Sequence, residues 1–397
     1  MNTMIWIDNE LQTLADESLE RTLTDTGVSR SFPGHLMRGG QILLDLTSND
    51  YLGLSRHPDI AEAMRGALLE ECGSGAAASR LLTGNRPPYS ELEAELAVWQ
   101  KKEASLIFAN GYMANLGTIR ALVGRGDVVF SDRLNHASIT DGIILSRAGH
   151  VRYRHNDTEH LEHLLKKSDK ARRRLIVTDS IFSMDGDSAP LHKLVALKHN
   201  YDAMLMVDEA HAEGVYGSNG EGLCHAMDVH READVIMGTF SKAFGVYGAH
   251  ISGSRTLIRW LVNKARPLVY STALPPPVAA GIYRALGIVQ TAHDRRNHLR
   301  AVSGRFRQRL AQAGLNVMPG DSPIVPVIAG SSRDSLRWCE ALERHGIAAP
   351  AIRPPTVPAG SARVRFSLSA AHSDAVLSKA AENIVSAAAE AEAGILA

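Results

Sequence analysis

Between residues 55 and 278 the chain alternates helical stretches with short apolar runs. The segments "RLIVTDS", "AMLMVDEA", "ADVIMGTF" and "GAHISGS" are apolar without a polar alternation, as expected of strands covered on both faces of a mostly parallel sheet. They predict a large α/β domain over 55–278. Ahead of it, a short helix, a loop at "FPGHLMRGGQ" and a strand-like "ILLDLTS" leading into "NDYLGLS" form an arm over 1–54. After the Pro-rich "TALPPPVAAG", a helical stretch from about Ala279 to Leu315 leads to the strand "SPIVPVIAG", the helix "SLRWCEALERHG", the strand "ARVRFSLSA" and a last helix. Residues 279–397 therefore read as an interdomain helix and a smaller α+β domain. The last helix opens at Ser373 and Asp374 and carries one apolar stripe, Leu377, Ala381, Ile384 and Val385.

Composition narrows the setting. Of 397 residues, 45% are hydrophobic, and Lys+Arg and Asp+Glu both number 43. With no net charge, no global field steers the chain to nucleic acid or an anionic membrane. The basic cluster from Lys166 to Arg174 is local and reads as a solvated helix end. Cys72, Cys224 and Cys339 lie far apart with no CxxC spacing, which argues against a disulfide framework or a zinc site and for a reducing compartment. The opening "MNTMIWIDNELQTL" has acidic and amide residues where a secretory signal needs an apolar core, and no apolar run approaches membrane-spanning length. A cytoplasmic protein with no nucleic-acid, membrane or metal partner is expected.

Chemistry collects at the strand ends. In open α/β sheets ligands bind beyond the carboxyl ends of strands, and here those ends carry Asp179, Ser183, Asp208, His211, Thr239 and Lys242. Lysine normally keeps its ammonium in water. One delivered by a buried strand into "GTFSKAFG" suits Schiff-base chemistry, because burial favours the neutral amine that attacks an aldehyde; a buried ion pair is the alternative. Asp208 closes "MVDEAH", and a buried carboxylate needs a cationic partner. A protonated pyridine nitrogen at ~3 Å supplies a gross attraction of roughly 5 kcal/mol at an effective dielectric near 20. Such a ring is the electron sink of pyridoxal phosphate. A phosphate cradle is expected at Gly111, where a helix begins in "FANGYMANLGTIRAL", with Thr239 and Ser241 adding hydroxyls; the plain reading of Gly111 is a turn. His136 in "LNHAS" suits stacking on the pyridine, although a lone histidine is more often structural. Arg80, in the glycine loop "GSGAAASRLLTGN", reads equally as a structural anchor.

These residues lie in motifs that resemble a known family. "SNDYLGLS", "GSGAAASRLLTGN", "NHAS", "IFSMDGDSAPL", "DEAHAEGVYG", "GTFSKAFG" and "YSTALPPP" occur in the order found in the α-oxoamine synthases, and the likeness runs from about Arg30 to the last helix. The resemblance implies a fold-type I, aspartate aminotransferase-like transferase that uses pyridoxal 5'-phosphate to condense an amino acid with an acyl thioester and release carbon dioxide. It implies a homodimer with sites at the interface, and either coenzyme A or acyl carrier protein as the thioester carrier. The Arg353-Pro-Pro-Thr356 segment resembles the member that joins alanine to a pimeloyl group rather than those that use glycine. Another family member, using glycine or serine with a different acyl chain, is the nearest alternative. A non-catalytic pyridoxal-phosphate-binding regulator or scaffold is the alternative from a different class.

Position by position, the resemblance implies that Lys242 bonds the cofactor, Asp208 pairs with its ring nitrogen, His211 and Ser183 contact its phenolic oxygen, and His136 stacks on it. Gly111, Tyr112 and Thr239 are implied at the phosphate and ring edge, with Ser271 and Thr272 completing the site of a neighbouring subunit. Asn49 is placed with the substrate contacts. Arg365 resembles the arginine that holds the amino acid carboxylate, and Arg353 and Thr356 resemble acyl-substrate contacts. Arg30 is a candidate for a further substrate arginine. The chain departs from the commonest family pattern at Ala212 and Glu213 and around the lysine at Ser241 and Ala243, without loss of a reactive group.

Overall fold

The computed structural model describes residues 4–29, 31–69 and 73–393; Arg30 and Cys72 lie outside the described residues. The chain divides into two compact units.

The larger unit, Asp50–Ser183 with Ser188–Arg296, is built on seven strands: β1 Ala104–Phe108, β2 Val128–Asp132, β3 Gly149–Tyr153, β4 Arg174–Asp179, β5 Met204–Asp208, β6 Val235–Thr239 and β7 Ala249–Gly253. They lie in the order β1-β7-β6-β5-β4-β2-β3. From β3 to β6 every pair is parallel, and β7 runs antiparallel to both β6 and β1. The unbroken apolar runs are thus explained. Leu175, Ile176 and Val177 of β4 and Leu205, Met206 and Val207 of β5 are all buried, whichever face each points to.

Because β4, β5 and β6 are parallel, their carboxyl ends share one rim. Asp179 stands directly beside Asp208 in register, and β6 ends on Thr239. Two helices start at the same rim. α1, Gly111–Leu122, is capped by Asn110, whose side chain accepts from the Met113 N–H at 2.9 Å. α2, Ala137–Ser146, is capped by His136. The sharp return between β6 and β7 places Lys242 just past the rim.

The second unit takes the described residues up to Asn49, Met184–Asp187 and those from Asn297 on. Strand Ala362–Ser367 lies between Ile324–Gly330 and Ala351–Ile352, all antiparallel. Helices Ser332–Arg344 and Asp374–Ala393 accompany it. The last helix buries Leu377, Ala381 and Ile384, and Val385 is half-buried.

Three local features differ from the sequence expectation. "FPGHLMRGGQ" is not simply a loop: His35–Arg38 pairs with Gln41–Asp45 through Gly39 and Gly40, whose φ values of 54° and 81° suit a tight hairpin turn. The helical stretch after the prolines is two helices, Pro276–Thr291 and His293–Gln312, parted at Ala292. In the basic cluster, Arg172 is more than a solvated charge, since its guanidinium forks onto Asp127 at 2.8 and 2.9 Å. No described helix is long and apolar enough to cross a membrane.

Candidate active site

At the carboxyl rim of the large sheet, the acid, the lysine and both histidines come from different elements. Asp208 is only 4% exposed. Its Oδ1 accepts from the Ala210 N–H at 2.9 Å and its Oδ2 accepts from Asn115 Nδ2 at 2.8 Å. These hydrogen bonds offset part of the cost of burying the carboxylate. Lys242 is half-buried, with Nζ 3.5 Å from Thr239 Oγ1. Thr239 Oγ1 also lies 3.5 Å from the Ala210 carbonyl, so one hydroxyl links the loop after β5 to the lysine. Ser241 is exposed beside it.

His136 is held through its backbone and its ring. Its N–H donates to Asp179 Oδ2 at 3.0 Å, and its Nδ1 lies 2.8 Å from Ser138 Oγ. The imidazole retains solvent exposure, and desolvation by the surrounding protein pushes its pKa below the ordinary value, against the attraction of Asp208. Asp179 is pushed the other way, well above the carboxylate range, first by burial and then by the charge of Asp208.

His211 is buried, and the Tyr51 phenol stands 2.7 Å from its Nδ1. Ser183 is half-buried near the end of the segment that follows β4. Gly111 opens α1 against β6: a Cβ there would come 2.7 Å from Thr239 Cγ2. Its absence keeps the helix N-terminus open for an anion. Tyr112 is exposed, and its phenol donates to Asp141. Ser271 and Thr272 line a small cavity with Arg80, Tyr89 and Phe108. Arg80 itself forks onto Glu93 and Asn85 and lies over the Tyr89 ring, which is the anchoring role.

In the second unit, Arg365 is 4% exposed; its guanidinium donates to Ser367 Oγ at 2.8 Å and to Asn49 Oδ1 at 3.1 Å. Arg363, on the same strand, is spent on an ion pair with Asp185 at 2.9 Å. Arg353 donates to the carbonyls of Ser18 and Glu20, and Thr356 is exposed.

The rim fits pyridoxal phosphate by its donor set: a lysine amine, a buried carboxylate for the ring nitrogen, an imidazole wall and a helix start kept open by a missing Cβ. Sequence reasoning passed over Tyr51, Asn115 and Ser138. Tyr51 lies inside the quoted "SNDYLGLS", but nothing local ties it to His211. Glu213, noted as a departure, is fully buried, accepting from Gln100 Nε2 at 2.8 Å with His250 Nε2 at 3.0 Å. Its carboxylate fills the space over Gly238, where a Cβ would fall 1.8 Å from Oε2.

Comparison with known proteins identifies the family. The aminotransferase class I and II family model matches residues 41–384. The 8-amino-7-oxononanoate synthase of Anaeromyxobacter dehalogenans is 50% identical over 368 residues, covering 92% of this chain and 91% of that protein. Serine palmitoyltransferase from S. paucimobilis, solved with pyridoxal phosphate and myriocin bound, superposes with a TM-score of 0.93 at 30% identity, covering 99% of this chain and 100% of that one. The 8-amino-7-oxononanoate synthase of Francisella tularensis gives 0.76 at 27% identity, covering 87% and 97%. On its family match, on half-identity to curated relatives over nine-tenths of the chain and on its fold, the chain belongs to the α-oxoamine synthases of the aminotransferase class I and II family.

Proposed function

We propose that this protein condenses L-alanine with a pimeloyl thioester, releasing carbon dioxide and giving 8-amino-7-oxononanoate for biotin synthesis. The observation that carries the reading is the half-identity, over nine-tenths of both chains, to a protein of that name. Pyridoxal phosphate, when bound, supplies an electron sink conjugated to the amino acid α-carbon.

The chain's own residues do the rest. Lys242 Nζ anchors the cofactor and, as a neutral amine beside the reacting carbon, takes and returns its proton. Asp208 keeps the pyridine nitrogen protonated. His211 and Ser183 orient the ring through its phenolic oxygen, and His136 covers one face. Gly111, Tyr112, Thr239 and Ser241 receive the phosphate and ring edge, with Ser271 and Thr272 of a second copy in a homodimer. Arg365, steadied by Asn49, takes the amino acid carboxylate as a planar fork. Arg353 and Thr356 serve the acyl chain. A cytoplasmic location fits the neutral charge and the widely spaced cysteines without a CxxC motif.

The serine palmitoyltransferase likeness favours one second reading, serine with a longer acyl thioester. Binding pockets separate substrates differing by a methylene by only ~1–3 kcal/mol, so the products decide. Incubated with pimeloyl-coenzyme A or pimeloyl-acyl carrier protein and alanine, glycine or serine in turn, the protein should give a product of the mass of 8-amino-7-oxononanoate with alanine. Turnover confined to serine or glycine would overturn the assignment.

A further inference from the structure

Asn115, on α1, is almost completely buried, and its Nδ2 reaches two acceptors: Asp208 Oδ2 at 2.8 Å and Ser138 Oγ at 2.9 Å. An amide nitrogen carries two N–H donors and no acceptor, so it gives one hydrogen to each. Its orientation is forced, because turning the amide over would press Oδ1 against the carboxylate. The cost is visible: Oδ1 is buried and finds no donor among the described residues.

Ser138 Oγ accepts from Asn115 and therefore has its own hydrogen to place. His136 Nδ1 stands 2.8 Å from that oxygen. The Ser138 backbone N–H points at the same nitrogen from 3.3 Å. Two donors converge on Nδ1, which must offer them its lone pair, and the ring's one proton sits on Nε2.

We propose that Asn115 and Ser138 are positioning residues that hold His136 neutral, protonated on Nε2, and tie that tautomer to the orientation of Asp208. Two consequences follow for a molecule bound against the ring. Nε2 donates a hydrogen bond and cannot accept one. The imidazole also adds no positive charge beside a pyridine that Asp208 keeps cationic, so the stack escapes a like-charge repulsion. The charged groups around His136 are Asp208, Lys242 and Asp141, with Asp179 on its backbone N–H; burial lowers its pKa in the same sense as the hydrogen bonds. The meaning for catalysis rests on the reading of His136 as the ring wall, whereas the tautomer is a property of the chain.

The test is long-range proton–nitrogen NMR on the holoenzyme labelled with 15N-histidine, the His136 signals being assigned by their loss in His136→Gln. One Nε2–H tautomer is expected from pH 6 to 8. In Asn115→Leu the Ser138 hydroxyl is released to accept from Nδ1–H, so the tautomers should mix and the His136 titration should rise by about one pH unit, tenfold in proton affinity. Ser138→Ala, which keeps the backbone donor, should shift the titration the same way by less, and it serves as the test if Asn115→Leu does not fold. A proton on Nδ1 in the parent protein, or unchanged titration in a folded variant, overturns the inference. The expected tautomer in a protein that makes no amino-ketone product would overturn the proposed function and leave this inference standing.

Discussion

The Tyr51 phenol oxygen stands 2.7 Å from His211 Nδ1, although 160 residues of chain separate them. Tyr51 is wholly buried, so the contact is shielded from bulk solvent. Tyr51→Phe removes this bond and keeps the ring's packing. It is expected to lower stability by about 1 kcal/mol in urea titration and, on the proposed role of His211 at the cofactor rather than the substrate, to reduce kcat with little change in the KM for alanine. Wild-type kcat in a folded variant would remove the phenol from the site's design.

Gly111 is predicted to be intolerant of even one methyl group. Gly111→Ala places a Cβ 2.7 Å from Thr239 Cγ2, and relieving that overlap costs roughly 1–3 kcal/mol. Part of it falls on cofactor retention, because the displaced threonine lies beside Lys242. Pyridoxal phosphate should dissociate at least about tenfold more readily in dialysis followed by its absorbance.

Arg365 offers a planar pair of donors positioned by Ser367 and Asn49. Arg365→Lys keeps the charge and loses the fork. The KM for alanine should rise about ten- to a hundredfold, the loss of a charge-assisted bond, while the KM for the pimeloyl thioester changes little. Steady-state kinetics with each substrate varied in turn make the comparison; an equal rise in both would place Arg365 elsewhere in the reaction.

Stability is expected to fall in mild acid. Burial holds the His372 pKa down to about 4, against an ordinary 6.5, so the native state keeps the ring neutral while the unfolded chain takes up a proton as pH drops below 6.5. Stability from this group is therefore complete above pH 6.5 and is lost progressively toward pH 4, roughly 3 kcal/mol in all. Urea midpoints measured from pH 7.5 to 4.5 should show the decline. His372→Gln should flatten it.

Much of this architecture is legible in the sequence because it is local. The unbroken apolar runs of β4, β5 and β6 announce two-sided burial, and the polar residues that end them, Asp179, Asp208 and Thr239, mark the rim. The motifs around Lys242 and Asp208 name the chemistry. What is not legible is pairing at a distance. Tyr51 with His211, Asn115 with Asp208 and Glu213 with His250 leave no periodicity or spacing, and only the folded sheet brings them within 3 Å. The hairpin at Gly39 and Gly40 was masked by turn-like composition, although its flanking residues pair as strands.

The claim on which the rest depends is that Lys242, and no other lysine, carries the cofactor. Borohydride reduction of the pyridoxal-phosphate-loaded protein fixes the attachment, and digestion with peptide mass mapping locates it. The phosphopyridoxyl mass is predicted on the peptide containing Gly238–Gly245 and should be absent from that peptide in Lys242→Ala. The same label on a different lysine, or a Lys242→Ala protein that keeps both the label and turnover, would contradict the account.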